Sequence, residues 1–586
     1  MLTSPGASVR LLGVAELVIG ARRSRTKTAV RSAIAAVLVV VTLAAAAAFG
    51  FGRLVAYPTP PSAPMPDTAR AQGDGEGIAG LVYGDSSMEY VGDLAVLRLR
   101  GDPLALGEAR GALAGADLAT GTRPFLEPLE RAAAGGGVLT GPLDPLRTRW
   151  RYRNLGDAMP EPRRIELAGA AQAAGAAPGD APGYTDLLRA QASLDVGEPA
   201  RRTGSSFRWV GRGLSFATEI ETPFRDRLVV GRQFEAPGAS DGGAAAAALR
   251  TVEFVRGDGA IPYASVGWPG LVGVVSGQNA EGIAIMVHPA ETADVDVSEH
   301  RIPAPLLARE VLERARDLSE AVEILSDKEP LAAASFLVAD GRAGRFAVVE
   351  RSPSSIAVRR SPDERAVTGV LQADRFEDDA ENDRAARTLP EPKRAERVDG
   401  LLAGGPLASV AGVAAALRGE LPGTSPLPPG HRGAIDDAGA AHSAIFDVTA
   451  MALYVSEGPG AMGRFRAFDL RDELGGSGPR FAPLSPIPPA GDDDRLADAK
   501  AVIAARAELR RARDAQAGGR DDDAWAHIQR ALARAPDLPE ALALAGDHAG
   551  ATGLEAQAEA PYRRYLEIGA DSPRKRDAIR ARLETY

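Results

Sequence analysis

The sequence predicts an α+β protein carried behind one apolar helix and followed by an all-helical tail. Three observations predict it. An uncharged stretch runs from Ala33 to Phe51, short β-type runs recur after about residue 205, and the last hundred residues keep helical periodicity. Composition agrees: 586 residues, 45% hydrophobic and 25% charged, exclude a polytopic membrane protein and a wholly disordered chain. A formal charge of -10 supplies no basic surplus to neutralise phosphates, so nucleic acid is not an expected partner. Cysteine is absent, which removes disulfides, thiolate metal sites and any cysteine nucleophile together.

The first elements set the compartment. Segment 1–31 carries Arg22, Arg23, Arg25, Lys27 and Arg31 and reads as cytoplasmic. Segment 32–52 reads as a transmembrane helix, because about nineteen residues at 1.5 Å each span the hydrocarbon of a bilayer. Only Arg53 follows before a Pro-rich stretch, so the positive-inside bias leaves the large C-terminal part on the periplasmic or extracellular side of a single-pass membrane protein. The alternative is a secreted protein, cut at the Ala-rich end of a signal peptide. Segment 53–84 is a Pro-, Gly- and Ala-rich linker.

The main domain is expected over 85–488. Asp93 to Arg100 alternates apolar and polar residues as a half-buried strand does, and Gly101-Asp-Pro103 turns into a helix containing Gly107 and Gly111. Ala-rich helical sequence continues to about residue 200. Strand-like runs then come at Leu228–Val230, Leu271–Val275, Ile283–Val287, Ser335–Val338 and Phe346–Val349, with one helix expected over 303–327. In 489–586, Ala524, Ile528 and Ala531 recur thirty-four residues later as Ala558, Tyr562 and Tyr565, with Ala545-Gly546 between them. That is the tetratricopeptide period; a generic Ala-rich helical hairpin is the other reading. Such a tail offers a docking surface for a protein partner.

Five pieces, in chain order, carry a family resemblance. They are Val96 to Gly111, Gly231-Arg232-Gln-Phe-Glu235, Tyr263 to Ile283, Phe336-Leu-Val-Ala-Asp340 with Glu350, and His442-Ser-Ala-Ile-Phe-Asp447. Together they resemble the acyl-CoA:6-aminopenicillanic-acid acyltransferase family, grouped with the choloylglycine hydrolases among the N-terminal-nucleophile hydrolases. The resemblance implies a four-layer αββα sandwich, acting on amide bonds after autocatalytic cleavage in front of a cysteine. The freed residue is then nucleophile and base at once, because an α-amino group titrates near about 7.7–8.0 and can take its own side chain's proton. A side-chain amide donates to the oxyanion, and an Arg and an acid orient the groups.

Carried onto this chain, the family's Cys-Thr-Ser-Phe-Ala aligns without a gap on Gly213-Leu-Ser-Phe-Ala217, which puts Gly213 at the nucleophile position. Arg232 stands at the orienting arginine, Glu235 at the acid, Asn279 at the amide donor and Ser335 where the family has Asn. Ser215 is a second nucleophile candidate, displaced by about 6.6 Å along a strand. Ser205 follows Gly204 at a chemically sensible junction for an N-terminal serine, at the cost of an insertion in the hairpin. Each residue also has a plainer role: Arg232 as partner of Glu235 or Glu350, and Asn279 as a turn residue in Gly277-Gln-Asn-Ala-Glu-Gly282.

His288, His300, His431, His442, His527 and His548 show no short-range ligand pairing, and neither Asp492–Asp494 nor Asp521–Asp523 has calcium-loop spacing, so no metal and no cofactor are expected. No phosphate-cradling loop occurs. The resulting expectation is a membrane-anchored, exported, catalytically silent acyltransferase-like or hydrolase-like domain that serves as a binding or scaffold module, with a small amide as its ligand. The alternative is an active serine-type amidohydrolase self-cleaving at Gly204-Ser205.

Overall fold

The structure is a computed structural model. It describes residues 37–39, 41, 42, 46, 50, 70–73, 78–134, 154–175, 181–196, 213–223, 225–236, 247–289, 301–360, 369–372, 397, 398, 400, 402, 407–420, 427–429, 431, 434–436, 438–475, 482–491, 493–568 and 573–584. The chain divides into two units, Met1–Tyr57 and Pro58–Tyr586. In the first, Val37, Leu38, Val39 and Val41 are helical and well exposed, and Thr42 Oγ1 donates to the Leu38 carbonyl at 2.8 Å. Ala46 and Gly50 are helical too; the rest of the expected span 32–52 lies outside the described residues, as do segment 1–31 and most of 53–84, whose described part forms two strands of a sheet, Arg70–Gly73 and Ile78–Tyr83, instead of linker. Among the described residues, no helix is long and apolar enough to cross a membrane.

The second unit begins with four strands, β1 Arg70–Gly73, β2 Ile78–Tyr83, β3 Ser86–Val91 and β4 Leu94–Gly101. Helices α1 Pro103–Ala134, α2 Leu155–Ala158, α3 Glu161–Gly175, α4 Tyr184–Gln191 and α5 Ser193–Val196 follow. Next come β5 Leu214–Ile220, β6 Arg227–Phe234, β7 Thr251–Gly257, β8 Tyr263–Gly267, β9 Ser276–Asn279 and β10 Ile283–Pro289. Helices α6 Ala304–Arg314 and α7 Leu318–Asp327 precede β11 Ala334–Asp340, β12 Arg345–Arg351, β13 Ile356–Arg360 and β14 Gly369–Gln372. After α8 Val410–Leu417 come β15 His442–Asp447, β16 Ala452–Ser456, β17 Phe465–Asp469 and α9 Leu470–Leu474. The tail is α10 Asp493–Ala517, α11 Asp521–Arg534, α12 Pro539–Ala551, α13 Glu555–Glu567 and α14 Pro573–Leu583.

The strands form two sheets. One runs β1-β2-β3-β4-β7-β8-β9-β10-β11-β12-β13 and the other β14-β5-β6-β15-β16-β17. They pack face to face because alternate residues of both are apolar. Val96, Val252, Phe254, Met286, Leu337 and Val348 of the larger sheet meet Ala217, Val230, Phe446, Leu453 and Val455 of the smaller. Burial of each of these side chains larger than alanine contributes roughly 1.5–3 kcal/mol. The outer face of the smaller sheet, with Phe216, Val229 and Ile445, is covered by Val413, Ala414 and Leu417 of α8. Helices α1, α6 and α7 pack on the larger sheet. The glycines expected inside the first helix have a packing reason: a Cβ on Gly107 would stand 2.0 Å from the Glu166 carbonyl, and one on Gly111 2.3 Å from that of Ala170. Only glycine lets α1 and α3 approach so closely.

Two local expectations change. Leu271–Val275 is not a strand: Gly270 and Gly273 bend the segment, the Val274 N–H donates to the Pro305 carbonyl, and Leu271 and Val275 fill an apolar cluster. The helix expected over 303–327 is two helices, because Asp317 accepts the Glu320 N–H at 2.9 Å and starts a new N-terminus. In the tail, Val502 and Leu509 of α10 pack with Ala438, Met462 and Ala490 of the sandwich, and Arg495 pairs with Glu420 at 3.0 Å. A Cβ on Gly546 would meet the Tyr562 ring at 2.3 Å, which is why α12 and α13 cross at a glycine.

Candidate functional site

At one end of the layer between the sheets the alternating apolar pattern gives way to polar residues. The inward-facing positions of β5, β6 and β15 there are Ser215, Arg232 and His442, while β9, β10 and β11 contribute Ser276, His288 and Ser335. All six side chains are buried. Sheet register makes this convergence: Ser215 lies opposite Arg232 across the β5/β6 hairpin, and His288 lies opposite Ser335, itself opposite Glu350.

Arg232 is the hub. Its Nε donates to Ser276 Oγ at 3.2 Å, Nη1 to Ser215 Oγ at 3.1 Å, and Nη2 to the Val287 carbonyl at 2.8 Å. His288 lies beside Nη1 at 2.8 Å through Nε2, and that same nitrogen stands 2.7 Å from Ser215 Oγ. His442 Nε2 meets Ser276 Oγ at 2.9 Å and stacks on Phe234, over which the guanidinium also sits. Two Ser–His pairs therefore flank one arginine. Arg232 makes no ion pair among the described residues; burial pushes it down to about 9, with Glu235 opposing through space. Burial and then the Arg232 charge hold His288 and His442 well below the usual imidazole range, so both are neutral.

Gly213 enters β5 with its missing side chain directed at this arginine. A Cβ there would stand 3.0 Å from Arg232 Nη1 and 2.8 Å from the Gln233 carbonyl. The Gln233 carbonyl first, and the guanidinium next, crowd the place where a side chain at 213 would begin.

The other expected site residues divide. Ser335 lies on the same face as His288, and its Oγ is buried without a hydrogen-bond partner. Glu235 is half-buried just beyond β6. Asn279 is not brought to the cluster: its Nδ2 donates to the Leu312 and Ala315 carbonyls at 3.0 and 2.8 Å, and its Oδ1 accepts the N–H groups of Glu281 and Ile283. That amide closes a turn in which Gly282 takes φ +85. Glu350 pairs with Arg359 at 2.9 Å rather than with Arg232. Ser205 and Gly204 lie outside the described residues. Gln233, facing the opposite side of β6, donates to Asp436, whose carboxylate also accepts the Ala461 N–H.

The two histidines were not singled out from the sequence. They stand 154 positions apart, His288 closing an apolar run and His442 opening a strand, and only sheet pairing unites them. Among the described residues, no group of three or more His, Cys, Asp or Glu side chains could hold a metal ion.

Chemically, the cluster can hold a hydroxyl against a neutral imidazole. It does not favour proton uptake: the adjacent guanidinium opposes an imidazolium, and among the described residues no carboxylate orients the ring. Just beyond the cluster, Phe125, Leu194, Phe234, Trp268 and Leu271 form an apolar plug, with Phe125 stacked on Trp268 at 4.0 Å.

No curated protein matches the chain. Among solved structures, a Caenorhabditis elegans ortholog of N-acylethanolamine-hydrolyzing acid amidase is 14% identical, covering 40% of this chain and 93% of that one at a TM-score of 0.30. A variant of the conjugated bile acid hydrolase of Clostridium perfringens is 12% identical, covering 49% and 93% at a TM-score of 0.25. Residues 250–406 match the family model of acyl-coenzyme A:6-aminopenicillanic acid acyl-transferase, the family that the sequence resembles.

Proposed function

We propose that this chain is a membrane-anchored, exported protein whose N-terminal-nucleophile-hydrolase-like αββα domain is catalytically silent and serves as a binding or scaffold module. A small amide is its ligand class, and the tetratricopeptide-like tail docks a protein partner. The observation that carries the silent reading is the contact of the Arg232 guanidinium with the place where a side chain on Gly213 would begin. A glycine supplies no attacking atom, and the arginine that would face a nucleophile is instead bonded to Ser215, Ser276 and Val287. The absence of cysteine throughout the chain supports it further. The exposed apolar helical residues Val37, Leu38, Val39 and Val41, behind a basic segment, support the anchor.

A second reading rests on the 2.7 Å contact of Ser215 Oγ with His288 Nε2: a serine-type amidohydrolase acting through Ser215, or through Ser205 after cleavage at Gly204-Ser205. Intact-mass and N-terminal analysis of the expressed chain, with a fluorophosphonate probe for reactive serines, separates the two. The silent domain stays uncut through 204–235 and takes up no probe. A new N-terminus at Ser205, or labelling abolished by Ser215→Ala, establishes the enzyme instead.

A further inference from the structure

A carboxylate outside the polar cluster holds the element that closes it. Helix α5 carries Leu194 into the apolar plug, against the same cluster as Phe234 and Trp268. The next residue, Asp195, is 9% exposed and points the other way, at the start of α6. Its Oδ1 accepts the Ala304 N–H at 2.9 Å, while its Oδ2 is buried with no hydrogen-bond partner. A buried carboxylate with one unsatisfied oxygen favours its neutral form, because burial penalises the charge and nothing bonded to Oδ2 offsets that penalty.

Three arginines on the elements packed against α5 are engaged elsewhere. Arg110 of α1 is paired with Glu166 and Glu253, Arg189 of α4 with Asp186, and Arg309 of α6 with Glu166 and Glu313. Only the backbone amides of Ala304 and of Asp195 itself favour the anion. Burial outweighs them and raises the carboxyl to about 8.

We propose that Asp195 is a pH-dependent latch that keeps α5 docked, and Leu194 in the plug over the Ser215–Arg232–His288 cluster, while it is protonated. Once α5 swings out, the carboxyl regains water and an ordinary acidity, so opening releases a proton. The latch is therefore firm in acid, loosens as pH rises from about 4, and is at its weakest once pH passes about 8. This device stands whether the cluster below is silent or reactive, since it concerns access rather than chemistry.

Hydrogen exchange followed by mass spectrometry on the full chain, corrected for intrinsic exchange, tests it. The opening constant of the peptide spanning 187–196 rises about tenfold per pH unit between pH 5 and 7. In Asp195→Asn, which keeps an oxygen for the Ala304 N–H, that rise disappears; Asp195→Ser serves the same comparison if the amide does not pack. Equal slopes in wild type and variant overturn the latch. An equal slope in the β10 peptide 283–289 also overturns it, because the opening is then of the whole domain.

Discussion

Two buried arginine clusters in this molecule invite comparison. Under α1, α3 and α6, Arg110 bonds Glu166 and reaches Glu253 at 2.7 Å, while Arg309 reaches Glu166 and Glu313, each at 2.8 Å. Between the sheets, Arg232 is as deeply buried but, among the described residues, bonds hydroxyls, an imidazole and a carbonyl and sits over the Phe234 ring, with Glu235 acting only through space. The acidities follow. For Arg110 and Arg309, burial alone would lower the guanidinium, but the carboxylates outweigh it and push both up; for Arg232 burial prevails. The first cluster is a charge-balanced joint holding helices to a sheet. The second keeps a desolvated charge without a carboxylate ion pair among the described residues, an arrangement that stability alone does not favour.

The sharpest way to break this contrast is Glu166→Ala. Removing the shared carboxylate leaves three guanidinium groups, those of buried Arg110 and Arg309 and half-buried Arg163, with only Glu253 and Glu313 among the described residues to balance them, and we expect a loss of about 3–5 kcal/mol in urea unfolding. A loss below about 1 kcal/mol would show that the joint carries no such balance. The same residue sets an acid limb. Burial raises Glu166, but Arg309, then Arg110 and Arg163, outweigh it and bring it to about 2 from an ordinary 4.5. Its contribution is therefore present above about 4.5 and lost as pH falls toward 2, and Glu166→Gln flattens that part of the stability-against-pH curve.

Gly213→Ala comes next. Its methyl meets Arg232 Nη1 at 3.0 Å and the Gln233 carbonyl at 2.8 Å, so thermal denaturation should show a loss of about 1–3 kcal/mol. If the variant is as stable as wild type, the arginine does not fill that space. The smallest effect is expected for Arg232→Met, which removes an unbalanced charge and keeps the stem volume; it should cost about 1 kcal/mol or less, or stabilise. An effect as large as that of Glu166→Ala would erase the distinction between the clusters.

Much of the architecture was legible because local periodicity reports burial directly. The alternation in Asp93 to Arg100, the apolar runs of β10, β11 and β12, and the helical tail need no partner to be read. Leu271–Val275 misled for the same reason: an apolar run records that a segment is buried, not that it pairs. The break at Asp317 was missed because one capping aspartate inside an amphipathic run changes the chain's direction without changing its pattern. At the site, Arg232, Ser215 and Ser335 could be named from the resemblance. The partnership of His288 with Ser215, and of His442 with Ser276, could not.

By itself the sequence determined the order of segments, the exclusion of cysteine chemistry and the glycine at position 213, since these are properties of residue type and local spacing. Only the tertiary structure decided that Asn279 closes a turn, that two distant histidines share one arginine, and that Asp195 lies buried with an unmatched oxygen. Those outcomes depend on strand register and on what the surrounding elements leave exposed to water, and neither quantity exists until the two sheets have met.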